Sequence, residues 1–316
     1  MLRGESLLHS RPLYLTLEPG AVCNLRCPFC ATGSRASTLS REFLLPETFA
    51  RIVDNLPLDS LFEVLLFNWG EPLLNPHLTT YIDFFARRGI RVVVHTNFSA
   101  RDYDDAFMDN LIRSGLTHLV ASVDGASQET YKKYRVGGDF MRVIGNLARL
   151  ASARKRLRSE TPQISYKMLL NRYNEEEVED ARRIAEELGV EFWLEERFGV
   201  FGEARDEWIA DSVRSKYGDK QRCSVTPDAD TVIKTECHQL WYTLVVGANG
   251  DVFPCCLAHT AESALGSLAN ERFEDIWNNE KITYLRRFVL DPTADAPSFP
   301  NLCARCSYRN CTYRGE

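Results

Sequence analysis

The segment AVCNLRCPFCATG sets Cys23, Cys27 and Cys30 at a C-x3-C-x2-C spacing, directly after the strand-like run Leu13-Tyr14-Leu15-Thr16-Leu17. Three thiolates on one short loop can hold three irons of a 4Fe–4S cluster, and the fourth iron then lacks a protein ligand. An open iron is a place for a substrate or cosubstrate to bind. The alternatives are a zinc site and a plain electron-transfer cluster. Zinc motifs usually pair one C-x2-C with a second, and ferredoxin runs carry four closely spaced cysteines.

Downstream, apolar runs alternate with amphipathic stretches. Runs at 13–18, 61–68, 91–96, 118–123, 163–170 and 191–195 read as strands, and helices are expected to begin near Pro46, His77, Asp102, Ser127 or Asp139, and Glu175. Within 175–188, Val178, Ala181, Ile184, Ala185 and Leu188 keep helical spacing, and Gly189 closes that helix. Strand–helix repeats give a parallel sheet with right-handed crossovers. Six repeats close only part of an eight-unit barrel, and the site of such a sheet lies at the carboxyl ends of its strands. Residues 201–236 are polar and irregular and read as a bridge with one short helix around 204–216. Segments 241–246 and 251–254 flank Gly247-Ala248-Asn249-Gly250, a hairpin signal, and an amphipathic helix carrying Phe273, Ile276, Trp277, Ile282 and Leu285 follows.

The 316 residues are 44% hydrophobic and 26% charged, as in soluble globular proteins. No apolar run reaches the roughly eighteen residues of a membrane span, and the N-terminus has no apolar signal core. A cytoplasmic location is expected, where ten cysteines favour metal ligation over disulfides. A net charge of −6 argues against an extended nucleic-acid surface. The basic run at 154–158 reads as a solvated helix end. Neither nucleic acid nor membrane is expected as a partner.

The cysteine loop, with aromatic Phe29 just before its last cysteine, resembles that of the radical S-adenosylmethionine family. The resemblance implies a partial (β/α)6 TIM-like barrel over 1–200, an α/β fold. It also implies that the amino and carboxylate groups of S-adenosylmethionine chelate the fourth iron, and that a 5′-deoxyadenosyl radical removes hydrogen from an unactivated C–H bond. Gly70-Glu71-Pro72 matches the family's glycine-glutamate-proline motif, where Gly70 lets the backbone approach the methionyl part and acceptors nearby meet its ammonium. Ser122 and Arg135 are expected at the methionyl carboxylate. Asn97, after Thr96, and Asp124, before Gly125, are expected near the ribose. Phe29 is expected against adenine, with Phe192 or Trp193 as a further wall. An electron donor such as flavodoxin or ferredoxin is expected to reduce the cluster.

Seven cysteines remain: Cys223, Cys237, Cys255, Cys256, Cys303, Cys306 and Cys311. Two distant pairs brought together by a hairpin and a helix could bind zinc or a full 4Fe–4S cluster, and spacing does not choose between them. The arrangement resembles the twitch domain, the shortened form of the SPASM extension. That resemblance implies one auxiliary 4Fe–4S cluster on Cys237, Cys255, Cys303 and Cys306 within a C-terminal domain at 237–316. Cys311 and then Cys256 are rivals for a ligand place, and a two-cluster form with a non-cysteine ligand is the alternative. Cys256 and Cys311 are also candidate hydrogen donors to a substrate radical. Buried structural cysteine is the plainer reading for each, and for Cys223. His238 and His259 are expected to support the ligands rather than bind iron.

The expected reaction is dehydrogenation or epimerisation of a small polar metabolite of sugar or aminocyclitol type, with modification of a ribosomal peptide as the alternative. Lys167, Asn171, Glu195, Glu196 and Arg197 are candidate substrate contacts at the later strand ends. A non-catalytic electron carrier or redox sensor would explain the liganding cysteines, but not the motifs at successive strand ends.

Overall fold

The computed structural model describes residues 6–196, 205–217, 222–223, 237–291, 299–306 and 311–312. Its first strand, β1 (Tyr14–Leu17), lies inside a nine-stranded sheet rather than at an edge. To one side run β2 (Glu63–Leu65), β3 (Arg91–Thr96), β4 (His118–Ser122), β5 (Gln163–Leu169) and β6 (Glu191–Glu195), all parallel. β7 (Arg222–Cys223) lies outside this sheet. On the other side of β1, β8 (Thr243–Val246) pairs parallel with it, followed by antiparallel β9 (Asp251–Phe253) and β10 (Gly266–Ser267). β11 (Cys311–Thr312) pairs with β7, placing Cys311 opposite Cys223. The large sheet is open, with β6 and β10 as its edges. It is the expected partial barrel, extended by the hairpin.

Helices α1 (Pro46–Asp54), α2 (Leu78–Ala86), α3 (Asp105–Arg113), α4 (Gln128–Tyr134), α5 (Phe140–Arg156) and α6 (Val178–Leu188) alternate with the barrel strands. Asp104, Ser127 and Asp139 cap α3, α4 and α5 by accepting from backbone N–H groups of the first turn, each contributing about 1 kcal/mol. Both expected starts, near Ser127 and near Asp139, are therefore used. Gly189 ends α6 at φ 67°.

Strand residues alternate faces. Val64, Val92, Val94, Leu119, Ala121, Ile164, Tyr166 and Met168 are buried in the core shared with the helices. The opposite face carries Phe67, His95, Ser122, Lys167 and Trp193. β3 and β6 are separated by two strands, roughly 14 Å in a flat sheet. Yet the rings of His95 and Trp193 approach to 5.9 Å, so this face is concave.

The bridge helix is broken into α7 (Arg205–Trp208) and α8 (Asp211–Tyr217). The Glu175 carboxylate accepts from Asp211 N and Ser212 N and starts α8 afresh. α9 (Gln239–Tyr242) takes up the first residues of the expected 241–246 strand and buries Leu240 and Trp241. α10 (Phe273–Trp277) and α11 (Glu280–Leu290) divide the last apolar helix. Arg286 of α11 is fully buried. It donates to the carbonyls of Leu240, Trp277 and Ser6 and to Asn278 Oδ1, and lies 4.6 Å from the Trp277 ring.

Candidate iron–sulfur and cosubstrate site

The loop after β1 gathers its three cysteines with Leu25, Phe29, Tyr134, Leu169 and Trp208 in one apolar cluster. Burial pushes the Cys23 thiol up to about 12 and raises that of Cys27, and neighbouring thiols add to both shifts. Thiols so placed ionise only beside strong positive charge. Arg135 supplies part of it, with Nη1 3.9 Å from Cys27 Sγ, and iron suits the remainder. Among the described residues no three side chains of His, Cys, Asp or Glu converge on one metal-ion position. A cubane takes each thiolate at a different iron, so its ligands need only border a common space. The three thiols fit that requirement, and the apolar residues around them suit a cluster shielded from water.

The strand-end motifs meet at this loop, held largely by one another. A Cβ on Gly70 would stand 1.6 Å from the Gly20 carbonyl oxygen, so glycine is the residue that lets the two strand-end loops touch. The Glu71 side chain is 2% exposed and does not face open space. It accepts from Thr96 Oγ1 (2.6 Å), Asn97 N (2.7 Å) and Leu73 N (3.0 Å), tying the end of β2 to the end of β3. Asn97 in turn donates to Asn24 Oδ1 (2.9 Å) and approaches Cys23 Sγ at 3.7 Å. Asp124, at φ 56°, is buried; Arg135 Nε (2.5 Å) and Leu169 N (2.6 Å) donate to its two oxygens. The Asp124–Arg135 pair thus braces the loop at Cys27. Ser122 stands half-buried at the end of β4. Phe29 stacks on Tyr134 at 6.4 Å and meets the edge of Trp208 at 5.2 Å.

On the sixth strand, the ring of Phe192 lies 6.0 Å from that of Tyr166 and carries Arg182 of α6 over its face, so it belongs to the helix side. Trp193 faces the concavity with His95. Asn171 is consumed in a turn with Tyr173 and Asn174, and Glu196 pairs with Lys216. Arg197 lies outside the described residues.

A second cavity, about 310 Å³, is lined by Cys237, Cys255, Cys256, Cys303 and Cys306 together with His238, Leu240, Pro254 and Leu302. Burial raises the Cys255 thiol, and its cysteine neighbours raise it further. Five thiols around one apolar space are a donor set for a four-thiolate cluster with one to spare. Cys256 is the exposed member. Cys223 and Cys311 stand opposite each other in the β7–β11 pair; their side chains lie outside the described residues.

Three residues escaped the sequence reading. Glu18, 2% exposed at the end of β1, accepts from Trp69 N (2.5 Å), Gly70 N (3.3 Å) and Gly20 N (3.4 Å), and burial lifts its carboxyl to about 7. Trp69 donates to the Ala258 carbonyl (2.7 Å) and meets the His259 ring at 5.6 Å, linking the Gly70 loop to the chain after Cys256. The His259 carbonyl also accepts from Thr38 N and Ser37 Oγ. Trp208 comes from the polar bridge, where no periodicity marks it. For Glu18 the signal was an acid at an inward position directly before Pro19-Gly20.

Comparison with known proteins agrees with this geometry. The chain is 24% identical to the PqqA peptide cyclase of Xanthomonas euvesicatoria pv. vesicatoria, across 96% of this chain and 82% of that protein. It is 27% identical to the AdoMet-dependent heme synthase of Methanosarcina barkeri across 57% of this chain, which spans about half (48%) of that relative. The structure of Streptococcus suis SuiB bound to S-adenosylmethionine superimposes with a TM-score of 0.61 at 15% identity, covering 88% of this chain and 68% of that one. The Radical SAM superfamily model matches residues 17–185, from the end of β1 into α6, and the SPASM iron–sulfur cluster-binding domain matches 237–307, from the first cysteine of the second cavity past its last. The chain therefore belongs to the radical S-adenosylmethionine superfamily and carries a C-terminal SPASM iron–sulfur domain, with a 4Fe–4S cluster, an auxiliary iron–sulfur cluster and S-adenosylmethionine as its cofactors.

Proposed function

We propose that this enzyme acts on a substrate C–H bond at the concave face of the barrel, and that the thiols of the second cavity would hold the group able to accept the one electron that, with a proton, the substrate radical must lose. When bound, the first cluster and S-adenosylmethionine supply the 5′-deoxyadenosyl radical, and the second cluster supplies the electron acceptor. Cys23, Cys27 and Cys30 would hold the first. Cys237, Cys255, Cys303 and Cys306 would hold the second, leaving Cys256 as a candidate hydrogen donor. Gly70, Asn97, Ser122, Asp124, Arg135 and Phe29 surround the cosubstrate position in this reading, with Glu71 holding Thr96 and Asn97 in place from behind. The observation that carries the proposal is the thiol-lined cavity fastened to β1 through β8, the strand that also delivers the first cysteine loop.

Relatives matched across nearly the whole chain and named for a peptide support a peptide substrate. The close ring contacts across the concave face, 3.9 Å for Phe67–His95 and 5.9 Å for His95–Trp193, support a second reading, a small polar metabolite that is dehydrogenated or epimerised. Protein reconstituted without air, then given dithionite and S-adenosylmethionine, should release 5′-deoxyadenosine. Release of none would remove the proposal. Cys255→Ala should keep that release and lose the oxidised product, whereas loss of product in Cys256→Ala with an intact second cluster would favour epimerisation.

A further inference from the structure

Lys167 stands on the concave face of β5, in register with Ser122 of β4 and Trp193 of β6. Its ammonium lies 4.5 Å from the centroid of the Trp193 ring. Among the described residues it forms no ion pair and donates no hydrogen bond. The carboxylates around it are accounted for. Asp124 is taken by Arg135 and Leu169 N. Glu195, on the same face of β6, acts on Lys167 only through the longer-range field. Arg135 is committed to Asp124 and Cys27. His95 is held neutral, since burial lowers its imidazole to about 3. Among the described residues the concave face therefore presents one ammonium, set over Trp193 in a row of rings that continues through His95 to Phe67. A partly desolvated cation without an acceptor is unfavourable, and an anion brought in beside it offsets that cost. Phosphate sites use several donors or a helix N-terminus; a single ammonium over an indole suits a carboxylate.

We infer that Lys167 receives a carboxylate of the substrate, so that the substrate class of this enzyme is acidic. The inference rests on the proposed function, because it takes the concave face as the substrate site. The carboxylate can come from an acidic residue of a peptide or from a small organic acid.

The test uses anaerobically reconstituted holoenzyme with S-adenosylmethionine and two matched probe pairs. One is acetyl-Gly-Gly-Glu-Gly-Gly-amide and its Gln counterpart; the other is glutarate and glutaramide. Equilibrium dialysis should show the acidic member of one pair binding about tenfold or more tightly than its neutral partner, as expected for a hydrogen bond to a charged group. The pair that discriminates identifies the source. Lys167→Met should abolish the difference and Lys167→Arg should keep it; Lys167→Gln replaces the Met variant if the latter fails to retain its iron. Absence of charge selectivity in both pairs, or its survival in Lys167→Met, overturns the assignment. Release of 5′-deoxyadenosine by the wild type is scored separately. Charge-blind enzyme that still releases it refutes the lysine assignment alone, and enzyme that releases none refutes the proposed function.

Discussion

At the first site three thiols stand on one contiguous loop, and the loop is braced by charge: Arg135 bridges Asp124 and Cys27 within a buried ion pair. At the second site five thiols arrive from separate chain segments, and the scaffold behind α9 is braced by Arg286, which meets only neutral acceptors. Each region contains an arginine largely withdrawn from solvent, but only the first has a carboxylate for it. The cosubstrate loop is therefore held by an electrostatic clasp that is strong when whole and costly when halved. The auxiliary region is held by packing and neutral hydrogen bonds, which fail more gradually.

Cysteine substitution should separate the two regions most sharply. Cys27→Ala is expected to reduce 5′-deoxyadenosine release to background, while Cys303→Ala retains it and loses auxiliary-cluster iron, as read by iron analysis and low-temperature paramagnetic resonance. Equal loss of release in both variants would break the distinction. Next comes Arg135→Ala, which strands Asp124 as an uncompensated buried charge; anaerobic denaturant unfolding should show a loss of about 3–5 kcal/mol. Glu18, at the seam between the regions, gives an effect of similar order with a defined pH window. Its carboxyl is raised from 4.5 to about 7. Between those values it stays protonated in the folded chain and ionises in the unfolded one, so stability declines as pH rises through the window. The wild type should lose about 3 kcal/mol relative to Glu18→Gln between pH 4.5 and 7. A flat difference between the two proteins would show that the Trp69–Gly70 turn does not bury this group. Arg286→Met should cost least, about 1–3 kcal/mol, because it leaves unpaired carbonyls but no stranded charge. A cost matching that of Arg135→Ala would erase the contrast.

The sequence made the barrel legible because β3 and β6 occupy the expected runs residue for residue, and the four other strands lie inside theirs. Their helix-facing positions in the core, every second residue, are apolar, as a sheet covered by helices requires. The pairing of β8 with β1 was not legible. Thr243–Val246 reads as one arm of a hairpin, and nothing local states that its outer edge meets a strand from the other end of the chain. Cys23, Cys27 and Cys30 were visible as a group because they are contiguous, whereas the shared cavity of Cys255, Cys256 and Cys303 exists only in the folded chain. Buried charges are the least readable. Glu18 and Arg286 look like surface residues until the elements around them assemble. Glu71 was visible through its motif, but the inward turn of its carboxylate onto Thr96 and Asn97 depends on how two loops meet.

The interior place of β1 bears on biogenesis. The ribosome delivers β1 and its cysteine loop before the other strands of the sheet, and β2 can pair with one flank soon afterwards. The other flank waits for β8, roughly ten seconds or more at ~20 residues per second. During that interval a row of unpaired amide and carbonyl groups is open to strands of other nascent chains, beside three reduced thiols awaiting iron. Cluster assembly in the cell thus meets a half-made sheet, and slow translation through the bridge lengthens the exposure.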